Sequence, residues 1–190
     1  MKTNIFTVAL SLLSMAAVAQ KSEIRDAGDA VEDGNYTEAK TQLQTAESML
    51  SEANDKWTER FYLYKGQAYL GNGENASLED LEVAAEAFQK AQEMGNDDEA
   101  VQGFDQVRNA LVQSAINDQN TENYESASDK LYYSYQLNKQ DTLYLYYAAA
   151  NSLNAQDYTT ALDYYEDLKE LGFDGSGVEY LATNVETGEQ

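Results

Sequence analysis

The sequence predicts an all-α chain built from antiparallel helix pairs, on three observations. Proline is absent from all 190 residues. Apolar residues recur at three- and four-residue spacing between short Gly, Asn and Asp breaks, the pattern of one amphipathic helix after another. A turn-and-helix phrase, [Asn/Asp]-Tyr-x-x-Ala, occurs three times, as Asn35-Tyr36-Thr37-Glu38-Ala39, Asn123-Tyr124-Glu125-Ser126-Ala127 and Asp157-Tyr158-Thr159-Thr160-Ala161. No stretch alternates with period two for long enough to require a sheet.

Residues 1–19 read as a secretory signal peptide. Lys2 supplies the charged start, Ile5 to Val18 is apolar with only small hydroxyls interrupting, and Ala17-Val18-Ala19 sets small residues before Gln20. That is the n-region, h-region and cleavage-site order of an export signal. The apolar run is shorter than the ~20 residues a spanning helix needs, and an uncleaved anchor is the alternative. Gln20 stands where a lipid-modified anchor would need Cys, and the chain has no cysteine. Export to the periplasm or the exterior is expected, with no stable membrane insertion after signal removal and no disulfides.

Residues 20–172 read as repeats, in units of about 20–53, 57–96, 98–141 and 142–172. In the first unit Ile24, Ala27, Ala30 and Val31 form one apolar stripe, and Ala39, Leu43, Ala46 and Leu50 form the next. The second unit carries extra residues, with Gly71 to Ser77 as a longer loop between its helices. The third begins with a long helix from about Asp98 to Asp118. Ala127 and Ala161, at equivalent places in the third and fourth units, are 34 residues apart.

Residues 173–190 leave the pattern. Phe173-Asp174-Gly175-Ser176-Gly177 is a turn, Val178 to Thr183 starts a short helix, and Glu186 to Gln190 is polar. This segment is either the start of a further repeat or a frayed tail. Solenoids normally cover their terminal repeat, so an uncapped C-terminal repeat is expected to self-associate.

Together these features resemble the tetratricopeptide repeat (TPR) family, whose helix–turn–helix unit is about 34 residues long. The small residue of each first helix is Ala27, Gly66, Ala115 and Ala149, and that of each second helix is Ala39, Ala84, Ala127 and Ala161. The two are 12 residues apart in three units and 18 apart in the second. The bulky residue that follows is Leu43, Phe88, Leu131 or Tyr165. Small residues let paired helices approach, and the bulky one fills the gap beside them. The chain departs from the family in lacking the closing proline, and in having an aromatic on the first helix only at Tyr69, where the other units have Ala30, Asp118 and Ser152. Another helical solenoid of the same topology is the alternative.

The resemblance implies a right-handed superhelical array of about four antiparallel helix pairs, binding a peptide or protein partner on its concave face. Matched unit by unit, that face carries Arg60, Leu63, Gln67, Leu70 and Gly71, then Asn109, Val112, Ile116, Gln119 and Asn120. The fourth unit adds Leu143, Tyr146, Ala150, Leu153 and Asn154. Such a groove is apolar with amides, and Arg60 is its one cation. An extended apolar or amide-rich segment suits it better than an acidic C-terminus.

Composition excludes much chemistry. With no His and no Cys, Ser-His-Asp and Cys-His nucleophiles, His proton shuttles and His/Cys zinc sites are absent. No phosphate loop or dinucleotide fingerprint occurs. Twelve basic residues against 34 acidic give a net charge of −22, which repels nucleic acid and anionic headgroups. Neither an enzyme nor a cofactor is expected. Glu166 and Glu170, with Asp163 and Asp167, read as a solvated helix face rather than a glycosidase pair. Asp174 to Glu179 offers oxygen ligands but lacks the alternation of a calcium loop. The rival function is carbohydrate binding by exposed tyrosines among Tyr132, Tyr133, Tyr135, Tyr144, Tyr146, Tyr147, Tyr164 and Tyr165, most of which helical spacing assigns to packing.

Overall fold

The computed structural model describes residues 21–73, 76–95 and 98–175. Among them every regular element is helical: residues 21–32 (α1), Tyr36–Glu47 (α2), Asp55–Leu70 (α3), Leu78–Met94 (α4), Asp98–Asn120 (α5), Tyr124–Leu137 (α6), Thr142–Asn154 (α7) and Tyr158–Glu170 (α8). A single 3-10 turn, Leu50–Glu52, links α2 to α3. The signal peptide assigned to residues 1–19 and the tail beyond residue 175 lie outside the described residues. Two compact units, Met1–Ser114 and Ala115–Gln190, divide the chain inside α5.

In the first unit the apolar stripes become the core. Ile24, Ala27 and Ala30 of α1 close on Ala39, Leu43 and Ala46 of α2 and on Phe61 and Ala68 of α3, with Val31, Leu50 and Trp57 against them. Leu50 packs there from the 3-10 turn rather than from the end of α2. Consecutive helices pair, α2 on α3 and α3 on α4. Phe88 of α4 is fully buried, and burying such a ring contributes about 1.5–3 kcal/mol. Glycines on two other helices make room for it. A Cβ at Gly66 of α3 would lie 2.6 Å from the Phe88 ring, and one at Gly103 of α5 would collide with the same ring.

The second unit follows the same plan, with α6 on α7 and α7 on α8. Ala115, Ala127, Leu131 and Ala148 form one core cluster, and Tyr135, Leu145 and Leu168 another. The paired small residues Ala115 and Ala127, and Ala149 and Ala161, are all buried. Ser128 Oγ donates to the Ala148 carbonyl at 2.9 Å and lies 2.7 Å from Ser152 Oγ, tying α6 to α7 inside the core. Tyr165 differs from the reading that it fills a gap. It stays exposed while Leu168, one turn further on, is buried, because no described helix packs beyond α8.

One turn recurs. The Asn35 N–H donates to the Ala30 carbonyl, Asn123 to Asp118, and Asp157 to Ser152, at 2.7, 2.8 and 2.9 Å. The preceding residue is left-handed each time, Gly34 at φ 74°, Glu122 at 60° and Gln156 at 65°. This six-to-one closure satisfies the last carbonyls of one helix and aims the chain into the next. The tyrosine after it is half-buried in Tyr36, whose ring stands 3.5 Å from where a Gly71 Cβ would sit. Tyr158 is instead exposed.

Candidate functional site

The first-helix residues singled out in the sequence fall on three surfaces, each within one unit. On α3, Arg60, Leu63, Gln67 and Leu70 succeed one another at three- and four-residue spacing, so they run down one stripe. Arg60, Leu63 and Gln67 line a cavity of about 570 Å³ together with Lys56, Glu59, Tyr64, Val31, Glu32 and Glu99. The Arg60 guanidinium lies 5.4 Å from the centre of the Trp57 ring, a cation–π distance. This cavity is ionic, with two cations among carboxylates.

Leu70 and Gly71 instead open onto a second cavity of about 510 Å³, faced across by Gln106, Asn109, Ala110 and Gln113 of α5. Its end is the Gly71-Asn72-Gly73 turn, where Gly71 at φ 58° and Gly73 at φ 77° terminate α3. Leu63 and Leu70 are nearly buried in these walls, Asn109 is exposed, and Val112 is half-buried and lines neither cavity.

In the second unit Tyr146, Ala150 and Leu153 make one stripe on α7, at i, i+4 and i+7. Tyr146 and Leu153 are 39% and 48% exposed, and Ile116 on α5 is 42% exposed. Gln119 is half-buried, and Asn120 and Asn154 are exposed. The Tyr146 ring centre is 5.6 Å from Phe173, 5.8 Å from Tyr147 and 6.3 Å from Tyr165. Burial, and then the Tyr146 phenol, push the Tyr165 phenol up.

The tyrosines of the rival reading separate into two sets. Tyr132 and Tyr164 stack with centres 4.5 Å apart, and Tyr144 packs against the same core. Tyr135 is buried, with the Lys139 ammonium 4.2 Å from its ring centre. Burial first, then Tyr132 and the carboxylates of Asp129, Asp157 and Asp163, push the Tyr164 phenol up to about 12. Tyr146, Tyr147 and Tyr165 remain exposed.

Among the described residues no cluster of His, Cys, Asp or Glu is placed to hold a metal ion. The Asp174 to Glu179 loop lies partly outside them. Glu166 and Glu170 are exposed on α8, as are Asp163 and Asp167. No described helix is long and apolar enough to cross a membrane.

Sequence reasoning missed Gln106, Gln113, Asn72, Lys56 and Glu99 as cavity-lining residues. A signal for two of them was present. Gln106, Asn109 and Gln113 are carboxamides at i, i+3 and i+7 of the long helix, one face of it, but of the three only Asn109 was singled out in the sequence. Comparison with protein-family models, with curated proteins and with solved structures gives no match.

Proposed function

We propose that this chain is an exported, non-catalytic scaffold of the tetratricopeptide type, which binds a peptide or protein partner through the first-helix face of its second unit, on α7 and the end of α5. One observation carries the reading. Ile116, Tyr146 and Leu153 are large apolar side chains 42%, 39% and 48% exposed in a chain of net charge −22. Leaving them in water forgoes stabilisation that burial would supply, and Tyr146 and Leu153 lie together on one face of α7, as exposed apolar groups at an interaction surface do. The small paired residues and the recurring turn support the repeat type. Export rests on the pattern from Met1 to Ala19, and N-terminal sequencing of the exported protein tests it: a chain beginning at Met1 overturns it.

Crosslinking and affinity purification from envelope extract, with the chain and with Tyr146→Ala/Leu153→Ala, tests the binding face. Partners lost on substitution support it; equal recovery by both removes these residues from the site. Tyr158, Leu162 and Tyr165, at i, i+4 and i+7 of α8, are also exposed, which favours self-association through that face. A clean monomer by light scattering at high concentration overturns that part.

The exposed trio Tyr146, Tyr147 and Tyr165, with Phe173 beside it, favours a second reading as a carbohydrate platform. Quenching of tyrosine fluorescence by neutral oligosaccharides would support it, and silence across a broad glycan panel removes it.

A further inference from the structure

We infer that the Asn35 side chain is the acceptor of an N-linked glycan, presented at the turn between α1 and α2. The inference rests on the export reading of residues 1–19 and adds a covalent modification to it.

The motif comes first. Asn35-Tyr36-Thr37 is an Asn-x-Thr sequence without proline, the acceptor that N-glycosylation reads in exported chains. The same turn occurs three times, and only its first copy carries the motif. Asn123-Tyr124-Glu125 lacks the hydroxyl, and Asp157-Tyr158-Thr159 lacks the carboxamide. A further Asn-x-Ser, Asn75-Ala76-Ser77, begins outside the described residues. Its hydroxyl is already engaged, because Ser77 Oγ accepts from the Asp80 N–H at 3.1 Å and caps α4.

Availability comes second. Asn35 and Thr37 are both exposed. Asn35 caps α2 through its backbone alone: its carbonyl accepts from the Ala39 N–H at 3.0 Å, and its side chain makes no cap bond. Asn54, Ser77 and Asp157 do cap their helices through side-chain oxygens, and Asn123 Nδ2 donates to Asp118 Oδ1 at 3.5 Å. An N-cap side chain ordinarily steadies its helix by accepting from an N–H of the first turn. Asn35 leaves that contact unmade, so a sugar on Nδ2 breaks none.

Room comes third. A Cβ at Gly34 would meet nothing within 4 Å. Gly34 to Glu38, with Thr41, line an open cavity of about 530 Å³, which leaves space for the first sugar. Tyr36, between the carboxamide and the hydroxyl, is half-buried with its ring toward Gly71. The turn is thus anchored by the one residue of the three that the motif leaves unspecified.

The transfer is a substitution at the sugar. Asn35 Nδ2 attacks C1 of an oligosaccharide carried on a polyisoprenyl diphosphate, the donor of a membrane oligosaccharyl transferase. The N–C1 bond forms and the bond from C1 to the phosphate oxygen breaks. The lipid diphosphate leaves, and one amide proton passes to a carboxylate of the transferase. Nothing is oxidised or reduced.

The test uses the full chain purified from its own source, digested with trypsin and read by mass spectrometry. Cleavage after Arg25 and Lys40 isolates residues 26–40, in which Asn35 is the only asparagine. The expected result is a peptide heavier than its sequence by whole sugar residues, which releases sugar fragments on collision. Asn35→Gln and Thr37→Ala, expressed in the same source, should return the peptide to its sequence mass, and Thr37→Ser should keep the glycan. The inference is overturned if residues 26–40 carry no sugar, or if Asn35→Gln keeps it, as a sugar on the Thr37 hydroxyl would. A chain that begins near Gln20 with Asn35 bare removes this inference and leaves export standing. One that begins at Met1 with Asn35 bare removes both.

Discussion

Lys130 Nζ lies 2.6 Å from Asp118 Oδ2, an ion pair in which both side chains are largely withdrawn from solvent. Asp118 ends the last turns of α5, and its carboxylate also accepts from Ser126 Oγ at 2.7 Å. One carboxylate thus holds the start and the second turn of α6 against α5.

Lys130→Ala should cost about 3 kcal/mol, because a half-hidden carboxylate is left without its cation. Removing both partners should cost less than the two single losses together, by about 1 kcal/mol or more. Urea unfolding of the three variants measures this. Additive losses would mean that the pair is not coupled.

Phe88 occupies space that two helical glycines leave open. Alanine in mid-helix is ordinarily worth about 1 kcal/mol over glycine. Gly66→Ala and Gly103→Ala should nevertheless lower stability, by a net amount of about 1–2 kcal/mol, because each methyl presses on the Phe88 ring. In a Phe88→Leu background the same substitutions should cost much less or stabilise. A thermal-unfolding series of single and paired variants checks the change of sign.

Glu122 and Gln156 hold left-handed backbones at the turn where Gly34 stands in the first unit. A side chain in that region costs roughly 1–2 kcal/mol, partly offset by the greater unfolded-state freedom of glycine. Glu122→Gly and Gln156→Gly should therefore each raise stability by about 0.5–1 kcal/mol. Gly34→Ala should lower it by a similar amount. The denaturation midpoints of these variants decide the matter.

The raised phenols make the second unit sensitive to alkali. Tyr164 is pushed up to about 12 from an ordinary phenol value of 10.0, and burial raises Tyr135 in the same direction. Between those two pH values the folded chain keeps protons that the unfolded chain releases. Stability is therefore fully present below pH 10 and falls as pH rises toward 12. Tyrosinate absorbance and helical circular dichroism should change together over that window. Tyr164→Phe should flatten the dependence, and an unchanged slope would show that Tyr164 is not responsible.

The helix pattern was legible because it depends on local chemistry. Ile24, Ala27 and Ala30 share a face through helical spacing alone, and the absence of proline leaves every helix uninterrupted. The boundaries at Asn35, Asn123 and Asp157 were legible too, since the same short phrase encodes the same turn. The ionic cavity around Arg60 and the amide cavity around Asn109 were half legible. The α3 stripe could be read from spacing, but not what stands across from it.

By itself, then, the sequence determined where helices run, where they turn and which face of each is apolar, because those properties follow from neighbours within a few residues. Only tertiary structure decided that Phe88 needs both Gly66 and Gly103, that Tyr165 stays in solvent, and that Gln106 and Gln113 face Leu70. Each of these depends on which helix arrives at a given side chain from far along the chain. Burial, unlike helical periodicity, is a property of the pair and not of either partner alone.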